Sequence, residues 1–571
     1  MSEAEPDDAS AAGAAGGGDD VDASVHPGFR DAWWFRLWNE PASYELTRFA
    51  VLRLLALVYL VAFLILAFQM DPLLGSHGLL PIGDYLVFAH RHFGASAYWK
   101  MPTLLWLGSS DGFMHLLCWA GIALSAAALL GATNAILQLA LWGIYMSFVH
   151  AGQIFYGYGW EIQLLETGLL AVFLCPAATL RPFPPTRAPR LVVWLLRWLV
   201  FRVMVGAFLI KIRNDSCWRD LTCLDFHFET QPNPNPLAWY LHHAPHSVHV
   251  AGVVFNHLAE GLAPWFIFSF RRWRHAAGAV LVLFQVTLIL SGNLSFLNWL
   301  TIVPALACFD DRLFARLLPR ARREALLARF AARPQGKAHG RAVAVYGVVV
   351  AVLSVTPVLN LFASDQAMNS HFDPLDVVNT YGAFGSVDRR RFEVILEGTR
   401  DESPGDATHD AHWEEYELPC QPGDVRRRPC IVTPYHYRLD WQMWFVGNDA
   451  ARGETIEDEP WLVHLVWQLL EGDPSPRSLL ARDPFPDAPP RWIRARLWEY
   501  RFSASRSGGT WWERDPVGVY IGPVSTADPA LRAYVRGFGW AVGSASQPAP
   551  ASSPVPGQPA PPPDEKTPRA R

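Results

Sequence analysis

The chain predicts a membrane all-α bundle of about nine transmembrane helices followed by a mostly β exported domain, on three observations. Apolar runs approaching the ~20 residues a helix needs to cross ~30 Å of hydrocarbon recur from Phe49 to Phe362. From His371 to Trp540 the apolar pattern changes to alternation, the period of strands. The 571 residues are 51% hydrophobic, yet 18% are charged and mean hydropathy is only +0.11. A chain wholly in the membrane would be more apolar, and an ordinary soluble domain lacks repeated long apolar runs.

Residues 1–30 are acidic and Gly/Ala-rich with no apolar h-region, so they predict a disordered N-terminus and no signal peptide. The first span then serves as an uncleaved signal anchor. The helical membrane domain, residues 31–363, contains nine apolar runs. They are Phe49–Met70, Phe113–Leu130, Ala135–Val149, Ile162–Pro176, Leu191–Ile212, Val248–Phe270, Ala276–Ser291, Leu294–Cys308 and Ala342–Phe362. Several are shorter than a full crossing.

Basic residues in short loops set orientation. With a cytoplasmic N-terminus, the Arg-bearing loops fall on one side: Arg181–Arg190, Arg271–Arg274 and Asp310–Arg341. The loop 213–247 and the whole C-terminal domain, residues 371–543, fall on the other. Membrane lipids are the expected solvent, and the basic segment Arg312–Arg341 reads as a topology determinant more than a headgroup site. The net charge of −5 says little about partners. The Pro/Ala/Ser-rich tail, residues 544–571, predicts an extended, disordered segment. Lysine is scarce beside arginine and alanine, which hints at a GC-rich coding sequence and a bacterial source.

Seven cysteines divide into two groups. Cys118, Cys175 and Cys308 lie in or beside spans and read as small packing residues. Cys217 and Cys223, and Cys420 and Cys430, form close pairs in segments expected on the oxidising face, and read as local disulfides. Neither spacing is the C-x-x-C of redox catalysts.

In the C-terminal domain, RRFEVILEG, RWIRARLWEYRF and HYRLDWQMWFV are strand candidates. Leu462, Leu465, Val466, Leu469 and Leu470 stand at helical spacing. A two-sheet sandwich is the predicted arrangement.

The densest polar cluster follows the fifth run. Asp215, Trp218, Arg219, Asp220, Asp225, His227 and Glu229 crowd a loop that continues into Pro232, Pro234 and Pro236. If the segment is extended, Asp225, His227 and Glu229 point one way and could hold a metal or a proton. Carboxylate pairing with Arg213 and Arg219, and recognition of a partner, are the favoured alternatives. Inside the spans, Glu166 and Arg202 are placed to pair across helices, while Arg53, Arg197 and Lys211 near span ends would snorkel. His257 and Glu260 are i,i+3 neighbours beneath the loop and join an intramembrane polar network with Lys211. His242, His243, His246 and His249 have spacing compatible with a metal, but Pro245 interrupts a helix there and interfacial histidines are the favoured reading. No metal and no cofactor are expected.

Three blocks resemble the lipase maturation factor family of polytopic membrane proteins. They are CWRDLTCLDFHFETQPNPNPLAWYLH, VNTYGAFGSVDRRRFEVILEGT and RRPCIVTPYHYRLDWQMWFV, in the same order and at similar spacing over roughly Trp33 to Val524. The resemblance implies a non-enzymatic, chaperone-like helper acting on an exported client such as a lipase. It places the protein in the endoplasmic reticulum membrane by family, or in the cell membrane if the source is bacterial. The loop from Cys217 to Pro236 is the expected functional surface, with Trp218, Trp239, Tyr240, Trp511 and Trp512 as exposed aromatics for a client.

The arrangement of helices followed by an exported β-domain is also similar to that of vitamin K-dependent carboxylases. That alternative would make Lys211 or His227 a base at the outer membrane face. A transporter is a third reading, but no inverted repeat is visible. No G-x-S-x-G, P-loop, H-E-x-x-H or dinucleotide fingerprint stands in a supporting context, and nothing points to nucleic acid.

Overall fold

The computed structural model describes residues 42–331, 333, 336–405 and 411–540. The N-terminus and tail expected to be disordered lie outside the described residues. The N-terminal half is helical: α1 (Glu45–Leu74), α2 (Asp111–Leu130), α3 (Ala135–Ala151), α4 (Gly159–Leu174), α5 (Arg190–Asn214), α6 (Leu224–Thr230), α7 (His246–His257), α8 (Arg271–Ser291), α9 (Leu297–Ala305) and α10 (Lys337–Leu353). Starts follow local chemistry. The Ser110 hydroxyl accepts the Phe113 N–H at the head of α2, and the Asn134 side chain accepts Ile136 and Leu137 N–H at the head of α3.

All nine apolar runs fall on helical segments, and among the described residues five helices are by their own length and composition sufficient to cross a membrane. α1, α2, α5, α8 and the stretch Lys337–Phe362 are long and apolar enough to cross a membrane. α3 and α4 have 17 and 16 residues, which at ~1.5 Å per residue fall short of ~30 Å of hydrocarbon. α9 has 9 residues. The sixth run is helical from His246 through Phe266, with a π-helical turn at Leu258–Leu262 inside it.

α5 is the hub. Of its most apolar window, 72% is buried, against 28% for α2 and for the Lys337–Phe362 stretch, whose Val345, Val348 and Val352 face outward. A helix enclosed on all sides can carry Arg197, Arg202 and Lys211 only if each finds a partner.

The C-terminal region is not the expected sandwich. It is one antiparallel sheet of β1 (Arg391–Thr399), β2 (Glu414–Glu415), β3 (Trp492–Phe502) and β4 (Trp512–Val524), ordered β2-β1-β3-β4. Val394 stands opposite Leu497, and Tyr500 opposite Arg514. Helices α11 (Arg438–Ala451) and α12 (Pro460–Glu471) accompany it, so "mostly β" is corrected to mixed. The strand candidate HYRLDWQMWFV is α11 instead. Leu439, Met443 and Val446 also stand at i, i+4 and i+7, and burying that stripe outweighed the alternation. The helix expected around residues 461–471 is α12, buried almost throughout.

Bundle and sheet share one continuous core. Leu55, Leu165 and Val200 of the helices belong to the same buried cluster as Val378, Val394, Leu439 and Leu465.

Candidate functional site at the junction of bundle and sheet

The site grows outward from α5. Arg202 pairs with Glu166 of α4, both side chains being 2% exposed. The pairing expected from sequence is present, and the C-terminal region completes it. The Glu166 carboxylate also accepts the Tyr381 hydroxyl (2.7 Å) and the Asn379 N–H (3.1 Å), while Arg202 donates to the Asn379 carbonyl. A Cβ on Gly206 would meet the Tyr381 carbonyl at 2.5 Å, so glycine is what lets that segment lie against the helix.

Two turns on, Lys211 Nζ donates to both Glu260 oxygens (2.7 and 2.8 Å) and to Asn256 Oδ1 (2.9 Å), and lies 4.8 Å from the Trp218 ring centroid. His257 contacts the Trp218 carbonyl at 2.8 Å. Lys211 is therefore buried and paired instead of snorkelling. Arg197 is likewise buried, donating to the Ala307 carbonyl and the Tyr44 hydroxyl. Arg53 donates to the Thr133 hydroxyl at 2.8 Å.

The segment after α5 folds inward. Cys217–Cys223 and Cys420–Cys430 are the local disulfides expected from sequence, with Cα separations of 4.8 and 5.3 Å, and Cys118, Cys175 and Cys308 are buried free thiols. The segment is not extended but helix α6, so Asp225, His227 and Glu229 do not share a face. Asp215 pairs with Arg389, not with Arg213 or Arg219, and also accepts the Cys217 and Val387 N–H groups. Burial alone would raise the Asp215 carboxyl, but these donors outweigh it and hold it below the usual range. Arg213 instead binds Gln366 and the Leu361 carbonyl, and Arg219 reaches the Ile212 carbonyl.

His227 and Glu229 are buried. His227 sits edge-on to Phe384, and burial, with the Lys211 charge nearby, pushes its imidazole down to about 4. Glu229 accepts the Phe502 N–H at 2.6 Å, and burial raises its carboxyl. The proline arm is no exposed platform. Arg391 of β1 donates to the carbonyls of Glu229, Gln231 and Pro232 while pairing with buried Glu393. Trp444 of α11 donates to the Thr230 carbonyl. Asn293, between α8 and α9, donates to the Asn233 and Cys430 carbonyls and accepts the Val432 and Thr433 N–H groups. Of the five aromatics expected to be exposed, Trp218, Trp511 and Trp512 are buried, Trp239 is half-buried and Tyr240 is exposed. Arg219 and Asp220 are exposed as well.

The third block docks against the end of α1 and the first turn of α4. Arg438 pairs with Glu161 of α4 at 2.9 Å, both fully buried, and lies 3.6 Å from the Tyr156 ring centroid. Gln69 of α1 accepts the Arg438 N–H and donates to the His436 carbonyl. Arg391, Asn293, Arg438 and Tyr381 were not singled out from sequence. The one available signal was an Arg or Asn inside an apolar or alternating run, which calls for a buried partner.

These contacts define a class: a helical membrane protein whose C-terminal sheet region is fastened to its helices by polar side chains from three sequence blocks. Comparison with known proteins narrows it. Residues 46–316 match the model of the lipase maturation factor transmembrane domain, and residues 377–522 match that of the lipase maturation factor C-terminal domain. The chain is 47% identical to lipase maturation factor 1 of Bos taurus over 524 residues, covering 87% of this chain and 92% of the relative. It is 47% identical to lipase maturation factor 1 of Homo sapiens over 523 residues, covering 87% and 91%. Human lipase maturation factor 2 is 31% identical over 624 residues, covering 87% and 85%. No solved structure matches. The chain belongs to the lipase maturation factor family. The carboxylase-like alternative finds no support among these relatives.

Proposed function

We propose that this protein is a membrane-bound maturation and assembly factor for exported lipases or related secreted proteins, acting without catalysis. The observation that carries the reading is similarity to lipase maturation factor 1 along 87% of the chain, through both family domains. The geometry supports it. The junction side chains most suggestive of chemistry from sequence are spent on structure: Lys211 on Glu260, Glu229 on Phe502, Glu166 on Arg202. What remains for a client is the outer rim of the loop, where Arg219, Asp220 and Tyr240 are exposed.

The Arg-rich loops favour a cytoplasmic N-terminus, with the loop 213–247 and the sheet region on the side where exported clients fold. That side is the endoplasmic reticulum lumen by family, or the outer face of a bacterial cell membrane. A single cysteine introduced by Glu402→Cys, labelled in sealed vesicles with a membrane-impermeant maleimide, tests the topology.

The function is tested by expressing the chain with a secreted lipase in cells lacking their own maturation factor. Secreted lipase activity per unit of lipase mass rises if the reading holds. An unchanged ratio, with the protein present in the membrane, overturns it.

A further inference from the structure

Two histidines of the run before α7, His246 and His249, gain a carboxylate neighbour that the sequence does not show. Pro236–His242 is one short helix and His246–His257 is the next, with Pro245 as the residue that opens α7 rather than one that breaks it. His246 and His249 therefore stand at i,i+3 in the first turn of α7, on one face. Asp225, in the first turn of α6, comes to that face from 24 residues upstream. Its Oδ1 lies 2.6 Å from His249 Nδ1 and 3.0 Å from His246 Nδ1, and the three donor atoms all lie within 4.8 Å of one another. His243 is outside the group, turned back onto the Trp239 carbonyl.

The tautomer of His249 makes the arrangement informative. Its Nε2 is 2.7 Å from the Leu241 carbonyl, an atom that only accepts, so the proton sits on Nε2. In a neutral imidazole that leaves the Nδ1 lone pair aimed at a carboxylate oxygen. At 2.6 Å the contact holds either as an imidazolium donating from Nδ1 to the carboxylate or as two ligand atoms sharing one cation. One ring nitrogen donating to a backbone carbonyl while the other faces a ligand is how metal-bound histidines are usually oriented. Burial supports the same picture. His249 is 4% exposed and fixed, whereas the His246 side chain is 62% exposed and the Asp225 side chain 26%, which leaves a fourth position open to water.

We infer that Asp225, His246 and His249 form a binding site for a divalent cation of the zinc type. Two imidazole nitrogens and one carboxylate oxygen are a borderline donor set that suits zinc over calcium or magnesium, and three protein ligands plus water complete a tetrahedron. Bonds of ~2.0–2.2 Å place tetrahedral ligand atoms roughly 3.3 Å apart. Reaching that spacing asks for a small outward rotation of Asp225 and exposed His246. The ion clips α6, which follows the Cys217–Cys223 disulfide directly, to the head of α7. It joins the outer loop to the membrane helices without involving the client rim.

The test is Zn²⁺ binding to the purified full chain in detergent, measured by competition with a chromophoric chelator. It is repeated with Co²⁺, whose visible absorption reports a tetrahedral site. The wild type is expected to hold one ion per chain above background. His246→Ala, a change at an exposed side chain that leaves the disulfide and both helices intact, weakens binding about tenfold or more and removes the Co²⁺ band. His243→Ala leaves both unchanged. Zn²⁺ raises the melting temperature of the wild type and not of His246→Ala. Equal uptake by wild type and His246→Ala overturns the site. So does the absence of stoichiometric uptake by the wild type, which would leave an imidazolium–carboxylate pair in its place.

Discussion

The Glu229 carboxylate accepts the backbone N–H of Phe502 at 2.6 Å, across 273 residues of sequence. One contact thus joins the loop that follows α5 to the last residue of β3. Arg391 of the neighbouring strand grips the carbonyls of the same loop. Glu229, one of three residues that the sequence offers for a metal or a proton, is a fastener between the two halves of the protein.

Removing that acceptor is expected to unfasten the loop. Glu229→Ala leaves a buried N–H unpaired at a cost of about 1–3 kcal/mol, so folded abundance and client activity fall together. Glu229→Gln keeps an oxygen there and is milder. Thermal unfolding in detergent, alongside immunoblots of membrane fractions, checks both.

Lowering the pH destabilises the loop through His227. Its folded pKa, about 4, lies below the ordinary value of 6.5, so the unfolded chain binds the extra proton first. This contribution is fully present above pH 6.5 and is lost as pH falls toward 4, roughly 3 kcal/mol if the imidazole stays neutral in the folded state. His227→Phe flattens that part of the profile. Melting temperatures measured from pH 7.5 to 4.5 show the difference.

The Glu166–Arg202 pair should behave as a buried pair. Glu166→Ala strands a guanidinium and destabilises by about 3–5 kcal/mol. Glu166→Gln combined with Arg202→Met costs less than the sum of its parts. Tyr381→Phe, which deletes one hydrogen bond to Glu166, costs about 1 kcal/mol. A double-mutant cycle on unfolding free energies reads the coupling.

The disulfides close short loops, with cysteines 6 and 10 residues apart, and each stabilises by about 2–3 kcal/mol. Peptide mapping without reduction should recover Cys217–Cys223 and Cys420–Cys430. Cys118, Cys175 and Cys308 should resist thiol reagents until the protein unfolds.

Client action is expected to reside on the rim. A triple variant, Arg219→Ala/Asp220→Ala/Tyr240→Ala, should keep wild-type abundance and melting temperature while lipase activity per lipase mass falls several-fold. Full retention of activity moves the client surface elsewhere.

Membrane residence, the local disulfides, the Glu166–Arg202 pair, helix α12 and the family were all legible in the sequence, because each rests on short-range pattern or on residue identity. Apolar length speaks for bilayer solubility, cysteines 6 and 10 residues apart can close only small loops, and the three sequence blocks carry their likeness in order. The sequence was least decisive where pattern and packing competed. HYRLDWQMWFV satisfies both periods, and only burial of Leu439, Met443 and Val446 against the sheet selected the helix. Apolarity marks helix but not its length in hydrocarbon, so nine runs became five helices long enough to cross. Apart from the Glu166–Arg202 pair, the fate of the buried polar groups was beyond the sequence. Whether Lys211 snorkels or pairs, whether Glu229 faces a client or Phe502, and whether His249 meets Asp225 depend on which distant backbone arrives beside it. A buried charge or N–H needs a partner within about 3 Å, and residues hundreds of positions apart are brought that close only by the packed tertiary structure.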